Sequence, residues 1–281
     1  MPPAGARERI AILRRRIAAL EAHGGPLSDG LGASREEVKP ASAQEFFEAL
    51  PGVFVEGGLS EIVPARPRDA AAAAGFASVL ALLAVAPRGA CAVWIAEDMA
   101  AREIGLPYAK GLESLGLDPA RLIVARTRDS RETLWTMEEA LKRRVGAVVA
   151  ESWIAPRAYG LAASRRLSLA AQRGGGLGLL LLLRAANQGG RLASAARLRF
   201  EVAAPPPPRA APGGGLPLPG PLGWRLRLLK ARVGLGALDA SEWQEILFDP
   251  DRGAFRHAFP QRLPAEACDR PDPAAARRAS A

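Results

Sequence analysis

A chain of 281 residues that is 49% apolar and 24% charged is too apolar for a disordered protein and long enough for one large or two small domains with a real core. Lys and Arg number 38 against 29 Asp and Glu, giving a net charge of +9 that favours nucleic acid, an anionic membrane or an acidic protein as partner; an Ala- and Arg-rich composition from a GC-rich genome explains the excess equally well. With only Cys91 and Cys268, one in an apolar strand and one in a polar tail, neither a disulfide framework nor a thiolate metal site is suggested, and a reducing cytoplasm is expected. His23 and His257 form no local cluster for metal or triad chemistry, and both are expected at the surface.

Residues 7–22 place Ile10, Leu13, Ile17 and Leu20 at spacings of three and four between arginines, an amphipathic helix with a short apolar seam that Gly24-Gly25 ends. The run Ile10 to Leu13 is too short for a secretory signal, so none is expected. Residues 1–25 are therefore an N-terminal helix and 26–50 a connector without sustained period. Gly57 to Val63 reads as a short strand and Ala70 to Ala86 as a buried helix. That alanine-rich segment has weak drive for membrane insertion, and no membrane span is expected.

The turn between them, Pro64-Ala65-Arg66-Pro67-Arg68-Asp69, occupies the place where many α/β proteins hold a nucleotide. A phosphate cradle needs consecutive backbone N–H groups, glycines and a Lys-Ser/Thr pair. Here two prolines delete donors and Asp69 sets a carboxylate at the helix start, where the dipole would otherwise attract phosphate.

Apolar runs at Ala90 to Ala96, Arg121 to Arg126, Val145 to Ala150 and Leu177 to Leu183 predict strands of a parallel sheet buried on both faces. Asp129 with Glu132 has the form of a capping box ahead of Leu134, Met137 and Leu141, and Pro156 opens a helix to about Arg173, closed by Gly174 to Gly176. Successive βαβ units make residues 51–204 an α/β core with an open, mostly parallel sheet flanked by helices. Residues 205–222 are a Pro/Gly-rich linker. Trp224 to Leu228 and Trp243 to Phe248 return to strand patterns, and the turn Asp249 to Gly253 leads into Phe255 to Phe259 as a hairpin partner, so 223–260 is a C-terminal β segment. Residues 261–281, rich in Ala, Pro and Arg, form a disordered tail.

Several strings carry a family resemblance: Gly57 to Ile62 before the turn, Ala73 to Ala77 after it, Val93-Trp94-Ile95, Leu115 to Pro119, Leu134-Trp135 with Glu138 to Ala140, and above all Ser164 to Ala171. In order and spacing the chain resembles the RecA-like ATPase core and, more closely, the inducible-mutagenesis protein A family, ImuA. The resemblance implies a RecA-like fold and a place beside an ImuB-like polymerase-related protein and an error-prone DNA polymerase in translesion synthesis during the SOS response to DNA damage. The ATP-binding lysine and threonine of RecA fall on Ala70 and Ala71, so the resemblance implies an accessory protein with no cofactor and no catalytic residues. RecA-like proteins dock neighbouring subunits with an N-terminal helix, so the stripe Ile10, Leu13, Ile17 and Leu20 is by analogy a place to meet RecA or another such protein.

Glu151, with Ser152, stands where a Walker B carboxylate would, and without phosphates or lysine it reads as a vestigial or structural acid. One helix carries Arg165, Arg166 and Arg173, of which Arg166 and Arg173, seven apart, share a face; they are open to DNA phosphates or to salt bridges. Arg225, Arg227, Lys230 and Arg232 form a basic run projecting to one side of a strand, suited to DNA, to an acidic partner or to plain solvent. Three functions compete. The first is a non-catalytic adaptor in error-prone lesion bypass. The second is a residual ATPase with Arg66 or Arg68 in place of the lysine. The third is a division inhibitor related to SulA, acting on the tubulin-like protein FtsZ.

Overall fold

The structure is a computed structural model that describes residue 50 and residues 57–155, 158–186, 192–206, 220–231 and 242–258. These all lie in the second of two compact units, residues 39–281. The N-terminal stripe Ile10, Leu13, Ile17 and Leu20, and also Pro156, Arg232, Cys268 and the tail, lie outside the described residues.

Among the described residues, nine strands make one sheet in the order β3-β2-β4-β5-β1-β6-β7-β8-β9. β1 (Gly58–Pro64), β2 (Ala92–Glu97), β3 (Leu122–Thr127), β4 (Ala147–Ser152), β5 (Leu177–Leu182) and β6 (Leu198–Ala203) run parallel. β7 (Gly223–Ala231), β8 (Gln244–Asp249) and β9 (Ala254–His257) continue the same sheet in antiparallel pairing. The fold is thus α/β with a mostly parallel sheet. The ends of β2, β3 and β4 fall one or two residues later than the apolar runs suggest, β4 extending through Glu151 and Ser152, whereas β5 ends one residue earlier, at Leu182; Cys91 precedes β2 and is exposed rather than inside the strand.

Among the described residues, five α-helices flank the sheet: α1 (Ala70–Val85), α2 (Asp98–Ile104), α3 (Ala109–Ser114), α4 (Ser130–Leu141) and α5 (Leu161–Gly174). Twelve of the sixteen residues of α1 are buried. A helix apolar all round belongs inside a core, and the one described segment long and apolar enough to cross a membrane, Pro67–Val85, is this buried helix. It packs on the sheet face that carries Ile62, Trp94, Val149, Phe200 and Leu226; α4 and α5 cover the opposite face, with Leu59, Val63, Ile95, Val148 and Leu180. Period-2 alternation survives within strands that look uniformly apolar, because each face has its own helix layer.

Phe76 of α1 locks the antiparallel extension in place. Its ring lies 5.6 Å from Phe200, 5.5 Å from Trp224 and 5.8 Å from Phe255, all edge-on or tilted. Trp224 Nε1 also donates to the Ala72 carbonyl at 2.9 Å.

The capping signal at α4 forms in modified shape. Asp129 Oδ1 accepts from Glu132 N at 2.9 Å, but the Glu132 carboxylate accepts from Arg128 N, one residue before the cap, at 2.9 Å. α5 begins at Leu161, five residues after the expected Pro156, with Gly160 as its N-cap, and the glycines end it: Gly175 adopts φ 70°. A Cβ at Gly174 would stand 1.9 Å from the Leu141 carbonyl oxygen, so the closing glycine is also the contact that lets α5 meet the end of α4.

Candidate functional site: the strand-to-helix turn and its arginine cavity

The turn after β1 folds back on itself. Pro67–Asp69 form a 3-10 turn, in which Asp69 N donates to Arg66 O at 2.9 Å and Ala70 N donates to Pro67 O. Ala65 N donates to Val202 O of β6 at 2.8 Å. Pro64 and Pro67 have no N–H. Of the six residues 64–69, only Arg66 and Arg68 keep a backbone donor uncommitted, and the two are not adjacent. Phosphate cradles work by aiming successive N–H groups at one anion, which this turn cannot do.

Asp69 is buried, and its side chain does not cap α1; Oδ1 instead accepts from Ala204 N at 3.1 Å, pinning the turn to the end of β6. Ala70 and Ala71 bring only methyl groups to the first turn of α1.

Beside the turn is a cavity of about 610 Å³ on the sheet face that carries Glu201, Arg225 and Arg227. Arg66 and Arg68 line it from the turn, Arg225 and Arg227 from β7, and Trp243 from just before β8. The guanidinium carbons of Arg225 and Arg227 lie 5.3 Å and 5.0 Å from the centre of the Trp243 ring. Arg227 is committed: its Nε donates to Glu201 Oε2 at 2.7 Å and its Nη2 to the same oxygen. Besides the Trp243 ring, Arg225 meets Glu245 at 3.7 Å through its Nε, which is buried without a hydrogen bond. Arg66 and Arg68 are exposed and make no ion pair among the described residues.

A β-bulge explains the one-sided basic run on β7. Strict alternation puts Lys230 on the apolar face with Leu226 and Leu228, but the register shifts between the pairs Arg199↔Lys230 and Phe200↔Leu228, leaving Leu229 as the extra residue. Lys230 thereby joins the face of Arg225 and Arg227, and its Nζ reaches Ser194 O at 2.5 Å.

The other arginine candidates are not brought to this cavity. Arg166 is ion-paired to Glu138 across α4 and α5, beside an exposed Trp135. Arg173 lies with Arg144 at a separate cavity near the glycines that close α5, and Arg165 is exposed on α5 and lines neither cavity.

Glu151 is inside β4 and 2% exposed. Burial pushes its carboxyl up to about 7, against a smaller downward pull from the nearby Trp94 indole. No hydrogen bond of normal geometry closes between them: Glu151 Oε2 and Trp94 Nε1 are both buried without a partner, at the wall of an apolar cavity of about 300 Å³. Its neighbour Ser152 is tied elsewhere, donating to Glu97 Oε2 at 2.9 Å, and Trp153 N donates to the same oxygen at 2.9 Å.

The strongest polar cluster was not singled out as a site from sequence. Glu61, in the middle of β1 and fully buried, accepts from Arg199 Nε at 2.6 Å and from Tyr159 Oη at 2.6 Å. Arg199, 2% exposed, also donates to Leu192 O at 2.8 Å and to Ser194 Oγ at 2.9 Å. Burial and the adjacent Glu61 charge push the Tyr159 phenol far up, so it stays a donor. The signal was present: a carboxylate inside Leu59 to Val63 and a cation inside Leu198 to Val202 must find each other when both strands are buried.

The chain is 38% identical to the protein ImuA of Caulobacter vibrioides strain NA1000 / CB15N over 199 residues, 66% of this chain and 77% of that protein. The same figures hold for the protein ImuA of strain ATCC 19089 / CIP 103742 / CB 15. The chain belongs to the ImuA family. No family model matches it. Among solved structures, the crystal structure of SulA from Pseudomonas aeruginosa is 22% identical and covers 44% of this chain and 96% of that one, at a TM-score of 0.33, which is too low to carry an argument. Within the ImuA-family chain, the turn, the arginine cavity and the buried Glu61–Arg199 pair all meet on β1 and β6.

Proposed function

We propose that this ImuA-family chain is a non-catalytic, RecA-like accessory protein of damage-induced mutagenesis, which binds proteins of error-prone lesion bypass and hydrolyses no nucleotide. The partners in this reading are an ImuB-like polymerase-related protein, an error-prone DNA polymerase and RecA, met in the bacterial cytoplasm and at the nucleoid when the damage complex assembles. Direct contact with DNA phosphates is a lesser part of it.

One observation carries the reading: the turn after β1 keeps only two non-adjacent backbone donors, followed by Ala70 and Ala71 where a lysine and a hydroxyl would grip phosphate and magnesium. An NTPase rests on positioning and charge stabilisation of the γ-phosphate, and both begin at that turn. Arg66 and Arg68 do not replace the lysine in this reading, because they line the cavity shared with β7, and alanine at 70 and 71 supplies no hydroxyl for magnesium.

The test is co-purification of the full chain with a purified ImuB-like protein and, separately, with RecA. Association with either supports the adaptor; clean failure with both overturns it.

A further inference from the structure

We propose that the cavity between the turn and β7 is a docking site for an extended acidic segment of a protein partner. The inference rests on the adaptor reading and names the chemistry of the partner and the residues that hold it.

The charge balance of the cavity favours an anion. Four arginines line it against two carboxylates, Asp69 and Glu201. Asp69 is spent on the Ala204 amide and Glu201 on Arg227, so both acids are already satisfied within the fold. Three guanidiniums remain under-used: those of Arg66 and Arg68, exposed on the turn, and that of Arg225, with its Nε buried and unbonded. Guanidinium groups bind carboxylates in paired, directional hydrogen bonds, and each orphaned buried donor is stabilised when one arrives.

The shape favours a peptide over a nucleic-acid strand. Between the arginines the walls are Ala65, Ala203, Pro205 and Pro206, an apolar lining that suits the side chains between acidic residues. Single-stranded nucleic acid is held by bare aromatic rings along a charged groove, whereas the aromatic ring here, Trp243, is already covered by two guanidiniums. Those guanidiniums also hold the ring in place, so the cavity is largely pre-formed.

The experiment uses the purified full chain and a fluorescein-labelled peptide of alternating glutamate and leucine, with a glutamine-for-glutamate peptide as control, read by anisotropy. The double variant Arg66→Glu/Arg68→Glu changes two exposed side chains and leaves the core untouched. It is expected to weaken binding of the acidic peptide about tenfold or more, since reversal replaces attraction with repulsion. Arg225→Ala, in β7, is expected to weaken it by a smaller factor. A matched reversal on α5, Arg165→Glu/Arg173→Glu, carries the same change in net charge and is expected to leave binding within about twofold.

Equal losses in the turn and α5 variants mean attraction to overall charge and overturn the proposal. So does unchanged binding in the turn variant. An oligothymidylate probe that binds more tightly than the peptide and loses affinity in the turn variant overturns it in favour of nucleic acid. Failure here is separable from failure of the adaptor reading, because co-purification of the wild-type chain with its partner proteins decides that reading whatever the peptide does.

Discussion

Glu151→Gln is expected to stabilise the protein at alkaline pH and to do almost nothing at acid pH. The folded protein raises the Glu151 carboxyl from 4.5 to about 7, chiefly by burying it at 2% exposure with one oxygen unbonded. The protonated form is the one the fold accepts, so its full stability is present below the unfolded value of 4.5 and is lost as pH rises through about 7. A displacement from 4.5 to about 7 corresponds to about 3 kcal/mol between the two limits. Glutamine matches the protonated carboxyl in size and carries no charge to bury. Urea denaturation of both proteins at acid and alkaline pH measures the effect. The two stabilities should lie within about 1 kcal/mol of each other at the acid end, and the variant should lead by about 2 to 3 kcal/mol at the alkaline end. The comparison with the variant removes the pH dependence of every other group. A variant less stable than wild type at alkaline pH would refute the reasoning, because it would mean that the ionised carboxylate has a partner worth keeping.

Arg199→Met leaves the fully buried Glu61 carboxylate facing only Tyr159, and a loss of about 3 to 5 kcal/mol is expected in the same denaturation assay; Glu61→Leu combined with Arg199→Met should cost less than the two single changes added together. Gly174→Ala drives a methyl group to 1.9 Å from the Leu141 carbonyl oxygen, and a Tm lowered by several degrees or more is expected in a thermal scan; an unchanged Tm would contradict the close approach of α4 and α5. Asp69→Ala strands the Ala204 amide at the end of β6 and is expected to cost about 1 to 2 kcal/mol by denaturation, with no gain in nucleotide binding.

Much of the parallel core could be read from residues because its strands are apolar runs and its helices begin and end on recognisable signals. Asp129 capped α4 and Gly175 closed α5 as their chemistry required. What could not be read was anything that depends on a second strand. β6 is hidden in the sequence because Arg199 and Glu201 interrupt its apolar run, and those charges are tolerable because Glu61 on β1 and Arg227 on β7 neutralise them. Lys230 reached the polar face through a bulge set by the β6 pairing, which no periodicity in β7 alone reveals. The prolines of the turn were visible at once, whereas the capture of Ala65 N by Val202 and of the Asp69 carboxylate by Ala204 N required the neighbouring strand. The cavity escaped notice for the same reason: Arg66 and Arg225 are far apart in sequence and meet only because β7 pairs with β6 beside β1.

Calorimetric titration of the purified full chain with magnesium-ATP tests the central claim most directly. With only two non-adjacent backbone donors left at residues 64–69 and alanine at positions 70 and 71, no saturable heat is predicted. A saturable isotherm that Arg66→Ala abolishes would contradict the account, because it would show a working phosphate site at the turn.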